Sequence, residues 1–465
     1  FKKGTLMLDY IVIGSGPAGL LVNGEMVNAS LKGICIEKGN VIKSSINDIY
    51  TPYQIINGYK NSGLNIVLGI PPLILSEGEC LGGGSIINSS LHHRTPKYIW
   101  NSWITKYGLK KFKYSYAEEL YNEIERKFSC SLGKSKMPSF YKYASKDLQV
   151  KRIPRWGYHE NLDKFKRKTA VDVVKEYYKN SLKNIYTGLE VKNIKKKKDN
   201  LYEVICIKKT QTSSKNEIYR FISKSVFICA GAGSTPILLS KLGYHHKKLG
   251  LFKVHPTARV SLFSNINESS NEIVDPFQIT EFFPELMIGS SANKAYLSEI
   301  NYPFKKSNKD FSKCLNLYSM APSNQTGKII LRGPFKGLRF YFLSQDTRDR
   351  IKFGLSKIID IASLANYTHV FSPGGEIDLS KLSKKSKKKF INLTIDKTLS
   401  SVHIFSSAAS GSNREYCPIC SNGSVPGYKG LYVMDSSIIP SCPTVNPQAT
   451  VTIFALKMIR EFLKS

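Results

Sequence analysis

The chain opens with an apolar run, Tyr10–Ile13, that breaks at the glycine-spaced stretch Gly14–Gly19 and resumes with helical spacing. Asp9–Ile13 therefore reads as a buried strand, Gly14–Gly19 as a tight turn and Leu20–Leu31 as a helix. A second apolar run, Gly33–Glu37, reads as another buried strand. Unbroken apolar strands around a helix predict a parallel sheet covered on both faces, since a sheet with one wet face would alternate. Ser115–Phe128 and Ala170–Leu182 space their charges as helices do. From Ile185 to Ile228 the period drops to two, with turns at Asp199-Asn200 and Ser213–Asn216, which predicts a β-meander. Ser225–Ala230 is a further buried strand, ending in Gly231-Ala232-Gly233 before a helix from Thr235 to Leu242. His255–Ser400 is mixed and β-rich; Leu431–Asp435 is a last strand, and Ala449–Leu463 a closing helix with an apolar face. Nucleotide-binding signals sit at both ends and in the middle of the chain. The expected domains are therefore discontinuous: 1–100, 184–256 and 418–465 in one, 101–183 and 257–417 in the other.

Composition changes this picture little. At 465 residues, 42% hydrophobic and 22% charged, the chain can bury a large core or two cores. It has no run of eighteen apolar residues and no leader-like apolar segment, so no transmembrane helix and no secretory signal are expected. The nine cysteines are odd in number and scattered, and Cys417-x-x-Cys420 has no second pair to complete a zinc site. No metal is expected, and a reducing, cytoplasmic setting fits best.

The charge asks for more. A net +33 suits a nucleic-acid binder, a membrane-surface protein or an enzyme for anionic substrates. Lys195–Lys198 precedes a turn, and Lys384, Lys385 and Lys387–Lys389 fall in a polar segment; neither run interleaves with aromatic residues. No specific nucleic-acid binding is expected, while an anionic substrate or a membrane-surface contact stays open.

The chemistry begins at Gly14-Ser15-Gly16-Pro17-Ala18-Gly19. The first glycine makes the turn, the second admits a pyrophosphate and the third lets helix and strand pack closely. The phosphate then meets the free N–H groups of the helix N-terminus. Glu37, followed by Lys38, ends the second strand, where its carboxylate can accept from both ribose hydroxyls. This fingerprint serves NAD as well as FAD. A second glycine segment, Glu77–Asn88, contains Gly82-Gly83-Gly84-Ser85-Ile86-Ile87-Asn88, in which Gly83 and Gly84 let backbone approach a flat ligand and Ser85 and Asn88 can donate to it.

That segment resembles the glucose–methanol–choline (GMC) oxidoreductases, including their bacterial cholesterol-oxidase branch. The C-terminal stretch Gly430–Ser437, then Pro440, then Asn446-Pro447-Gln448-Ala449-Thr450, is similar to the closing signature of the family, and Val402–Ser407 resembles the segment bearing its catalytic histidine. The resemblance implies an α/β fold: a Rossmann-type FAD-binding domain with a β-meander, plus an α+β substrate domain with a mainly antiparallel sheet. It implies His403 as general base, Asn446 as its partner, and FAD held by Asp435, Ser436, Pro447, Gln448, Thr450, Val191, Ala230 and Gly231 besides the glycine segments. Ile87 stands where some relatives carry a histidine bonded to the flavin, so FAD is expected to be non-covalent. The other histidines, His255 and the His92-His93 pair among them, read as structural or surface residues. The expected reaction is oxidation of an alcohol, a sugar or sugar conjugate being one candidate, with O2 or another acceptor reoxidising the flavin. The alternative is a lyase-like or photodecarboxylase-like enzyme on the same fold.

Overall fold

The computed structural model describes residues 7–42, 51–161, 164–208, 217–268, 276–291, 313–323 and 325–464. Its first sheet orders the strands Ile185–Tyr186, Gly33–Ile36, Met7–Ile13, Glu217–Ile228, Tyr202–Lys208 and Leu189–Lys196, with Leu431–Val433 added to the end of Glu217–Ile228. The pairs around Met7–Ile13 are parallel, as is that of Leu431–Val433, while Leu189–Lys196, Tyr202–Lys208 and Glu217–Ile228 form the antiparallel meander. Asp199 and Asn200 make its first turn, both with φ of 57°; the turn expected at Ser213–Asn216 lies outside the described residues. The buried strand expected at Ser225–Ala230 is the inner end of Glu217–Ile228, whose outer half runs on as the meander's edge.

The first helix spans Pro17–Asn28, three residues ahead of its expected start, because Pro17 is pre-set for the first helical position. The helix at Ala170 is held by a capping box between Thr169 and Asp172 and stops at Tyr177, short of Leu182. A tight turn, Lys179–Asn184, follows it, with the Ser181 hydroxyl donating to the Tyr178 carbonyl.

A second, mainly antiparallel sheet is built on Thr257–Ser264, flanked by Cys314–Met320 and Tyr367–Ser372. Val260, Leu262, Leu315 and Leu317 bury one face against Ile351, Leu355 and Ile358 of the helix Gln345–Leu364 and Ile391 and Ile395 of the helix Lys384–Thr398. The two sheets thus have separate cores. Of residues 101–183, expected in the second unit, the helices Tyr114–Lys127 and Ala170–Tyr177 instead pack in the first core, while Phe140, Tyr141 and Ala144 join the second core and Val150–Arg152 the second sheet. Phe112 meets Trp100 and Phe454 of the final helix Gln448–Leu463 edge to face, at ring-centre distances of 4.9 and 5.1 Å, and Trp100 lies tilted against Phe454. Aromatic packing of this kind joins elements irrespective of chain order.

One short pairing positions the reactive end. Leu251–Val254 runs antiparallel to Ile404–Phe405, with Val254 opposite Ile404. The residues just outside that register, His255 and His403, are therefore brought face to face.

Candidate functional site

Between the first sheet and the second glycine segment lies a cavity of about 480 Å³. At one end Gly14 has φ of 101°, and a Cβ there would stand 2.3 Å from the Cys229 carbonyl oxygen, so the turn admits only glycine. Gly16, Pro17 and Ala18 line the cavity, and Gly16 caps the first helix without a side chain, leaving its leading N–H groups open. Glu37 is buried: Oε2 accepts from the Ser15 N–H at 2.8 Å and the Ser15 hydroxyl at 2.7 Å, and Oε1 from the Gly39 N–H at 2.8 Å. Burial raises its carboxyl above the usual range. Lys38 reaches Glu79 at 2.8 Å. Gly83, at φ 49°, rests over Gly16, and Gly84, Val191, Ala230 and Gly231 complete the walls.

Asp435 lines the cavity from the end of Leu431–Val433 while organising the loop beside it. Its carboxylate accepts from the Gly231 N–H at 2.9 Å, the Thr235 hydroxyl at 2.5 Å and the Ser437 N–H at 2.8 Å. Ser436, Asn446, Pro447 and Gln448 line the far end, where Asn88 donates to Gln448 and so ties the second glycine segment to the final helix.

Three expected cofactor residues lie outside the lining. Gly19 serves packing, since a Cβ there would fall 1.9 Å from the Gly14 carbonyl oxygen. Ser85 turns inward: its hydroxyl donates to the Gly82 carbonyl at 2.7 Å and accepts from the Ala170 N–H at 3.1 Å. Thr450 faces the helix behind it, bonded to the Thr95 and Tyr121 hydroxyls at 2.7 and 2.9 Å.

His403 lines the cavity, and its Nδ1 is 3.0 Å from Nδ1 of His255. His255 is fully buried, with Nε2 3.0 Å from Cys442 Sγ. Two imidazole nitrogens at that distance need one donor and one acceptor, so the pair shares a single hydrogen at the contact. Burial, then the proximity of His255, His93 and Arg259, holds His403 well below the usual imidazole range. Burial alone takes His255 down to about 3 and pushes the Cys442 thiol up to about 12. Asn446 Oδ1 is buried without a hydrogen-bond partner among the described residues.

The residues that sequence reasoning missed are His255, Cys442, His93 and Lys60. His93 is held by Gln278 at 3.0 Å, and burial lowers it to about 4. Lys60 lines the cavity and donates to the Ser234 hydroxyl at 2.8 Å. His255-Pro256 was the one visible sign of these. His92, by contrast, is structural, between Glu125 at 2.7 Å and the Trp156 N–H at 2.9 Å.

The cavity fits a dinucleotide. A Cβ at Gly16, Gly84 or Gly231 would meet nothing within 4 Å, so these glycines form an open cradle. An uncapped helix N-terminus opens on the same space, and Asn446 lines it. Residues 8–257 and 336–455 match the N- and C-terminal profiles of the GMC oxidoreductases. The chain belongs to the GMC oxidoreductase family. It is similar, at 24% identity over 97% of the chain and 94% of the relative, to the uncharacterized GMC-type oxidoreductase y4nJ of Sinorhizobium fredii. It is also similar to the long-chain-alcohol oxidase FAO4A of Arabidopsis thaliana, at 22% identity over 97% of the chain and 68% of the relative. Pyridoxine 4-oxidase from Mesorbium loti shares the fold, with a TM-score of 0.72, 14% identity and coverage of 98% of this chain and 99% of that one. As a GMC oxidoreductase the chain is an enzyme of a family that generally uses FAD, acting on the CH–OH group of an alcohol. Among the described residues no helix is long and apolar enough to cross a membrane.

Proposed function

We propose that the enzyme oxidises its alcohol with His403 as proton acceptor and Asn446 as the group that orients the substrate oxygen. The observation that carries this reading is His403 on the wall of the cavity that also holds the glycine cradle, its Nδ1 3.0 Å from buried His255. FAD, when bound, supplies the acceptor for the carbinol hydride. His403 takes the hydroxyl proton as the C–H bond breaks, and a positioned base of this kind is worth roughly 10²–10⁴ in rate. With His403 donating through Nδ1 to His255, its Nε2 lone pair is free for that proton. Asn446, whose buried oxygen has no other partner among the described residues, accepts from or orients the substrate hydroxyl. The residues expected to hold FAD are Gly16, Pro17, Ala18, Glu37, Lys38, Gly83, Gly84, Val191, Ala230, Gly231, Asp435, Ser436, Pro447 and Gln448, all on the cavity wall. Ile87 offers no nucleophile there, so the flavin is held without a covalent bond and acid or heat frees it into solution.

As for the alcohol, the cavity's lysines are each engaged by the protein: Lys38 on Glu79, Lys60 on Ser234 and Lys241 on the Lys192 carbonyl. An anionic sugar conjugate gains no support from them.

The pH dependence tests the base. A lowered pKa means that His403 stays neutral as pH falls through the ordinary imidazole value, about 6.5. The rate of anaerobic flavin reduction should therefore hold steady at neutral pH and decline only below about 6.5. A half-point at or above that value would show that His403 is not held neutral by its surroundings, or is not the base.

A further inference from the structure

Residues 61–76 contain no charged side chain. Within them Val67, Leu73 and Leu75 point into the core, while Leu64, Ile66, Leu68, Ile70 and Ile74 point out, with Leu64 77% and Ile70 83% exposed. Ile66 is paired with Ile74, so both stand on the same outer face. Leu68 bridges to Phe340, which extends that face to Phe342, and across the neighbouring turn to Leu338 and Phe335, the last 67% exposed. Isolated exposed apolar residues are ordinary, but a continuous ridge is not. The segment 327–343, which carries the second half of the ridge, holds Lys328, Arg332, Lys336 and Arg339 and no acidic residue. Arg339 is buried on Glu77, whereas Lys328, Arg332 and Lys336 are exposed. Lys328 and Arg332 also line a second cavity of about 520 Å³ together with His245 and Lys247, and no carboxylate lines it.

We propose that this ridge and its basic flank dock the enzyme on an anionic lipid bilayer. Apolar side chains that enter the acyl boundary and cations that meet phosphate headgroups are the two signals that reversible membrane attachment needs. The cavity flanked by Lys328 and Arg332 takes a headgroup phosphate, while Leu64, Ile70 and Phe335 enter the lipid. A second copy of the chain is the poorer occupant. It would set Lys328, Arg332 and Lys336 against like charges on a protein already at +33.

The test uses the full-length, flavin-loaded enzyme in co-sedimentation with phosphatidylcholine vesicles, with and without phosphatidylglycerol as about a third of the lipid. Binding is expected to be at least about tenfold tighter to the anionic vesicles. An Ile70→Glu, Phe335→Ser double variant should weaken it more than about tenfold, and Arg332→Gln with Lys336→Gln by roughly 10- to 30-fold. These positions are exposed, so flavin content and melting temperature should stay at wild-type values; Phe335→Ser alone, at a turn tip, serves if the double variant folds poorly. Anionic-vesicle binding that the apolar variant leaves unchanged would mean attraction by net charge alone and would overturn the docking face. Failure to bind anionic vesicles would do the same. So would a wild-type dimer that dissociates on Ile70→Glu, since it would assign the ridge to a second copy.

Discussion

His403→Ala is expected to retain FAD and fold yet lose flavin reduction by alcohol by roughly 10²–10⁴. The ring is half-buried, and the hydrogen bond shown for it is the one to His255, so truncation leaves a buried His255 nitrogen without its partner. That costs about 1–3 kcal/mol of stability, which a chain of this size tolerates. The rate falls much further because the proton has no acceptor in place. Asn446→Ala should also slow reduction, but less, since it removes an orienting hydrogen bond rather than the base. If both residues act on one substrate oxygen, the double variant will lose less than the sum of the singles. Stopped-flow reduction in the absence of oxygen reads all three. His403→Ala reduced at the wild-type rate would remove His403 from the mechanism and leave the fold untouched.

Gly16→Val should do the opposite: leave the apoprotein folded and take away its cofactor. A Cβ at Gly16 meets no atom within 4 Å, whereas one at Gly14 would collide with the Cys229 carbonyl. Gly16 also has φ of −63°, which valine adopts without strain. The added methyl groups project into the cradle beside the open N-terminus of the first helix, where the pyrophosphate is expected. FAD affinity should fall by about 100-fold or more, some 2.7 kcal/mol, with the melting temperature of the apoprotein near the wild-type apoprotein value. Titration of apoprotein with FAD, followed by flavin fluorescence, measures it. Wild-type affinity would show that Gly16 does not face the cofactor.

These two residues mark what was legible in the sequence. Gly16 announced itself because its signal is local: a strand, a turn and a helix start in consecutive residues, with a glycine where a pyrophosphate would approach the backbone. His403 and Asn446 are proposed on resemblance to family motifs, and both line the cavity. His255 was not found, because its role depends on the register between Leu251–Val254 and Ile404–Phe405 across a separation of 148 residues. Nothing near His255 in sequence carries that information. Ser85 and Thr450 show the converse. A motif marks a position, but the local backbone decides which way the side chain turns, and both hydroxyls turn away from the cavity to buried partners. The helices Tyr114–Lys127 and Ala170–Tyr177 joined the first core for a similar reason, since packing of the kind made around Phe454 is set in three dimensions.

The central claim is alcohol oxidation through bound FAD at the His403 cavity. Anaerobic titration of the purified yellow enzyme with a panel of primary and secondary alcohols, long-chain and sugar alcohols included, tests it most directly. The predicted result is bleaching of the visible flavin band by at least one alcohol, with one carbonyl product formed per flavin and colour restored by an electron acceptor. A flavin that dithionite reduces but no alcohol bleaches, in enzyme that still converts an alcohol-derived substrate without net oxidation, would contradict it.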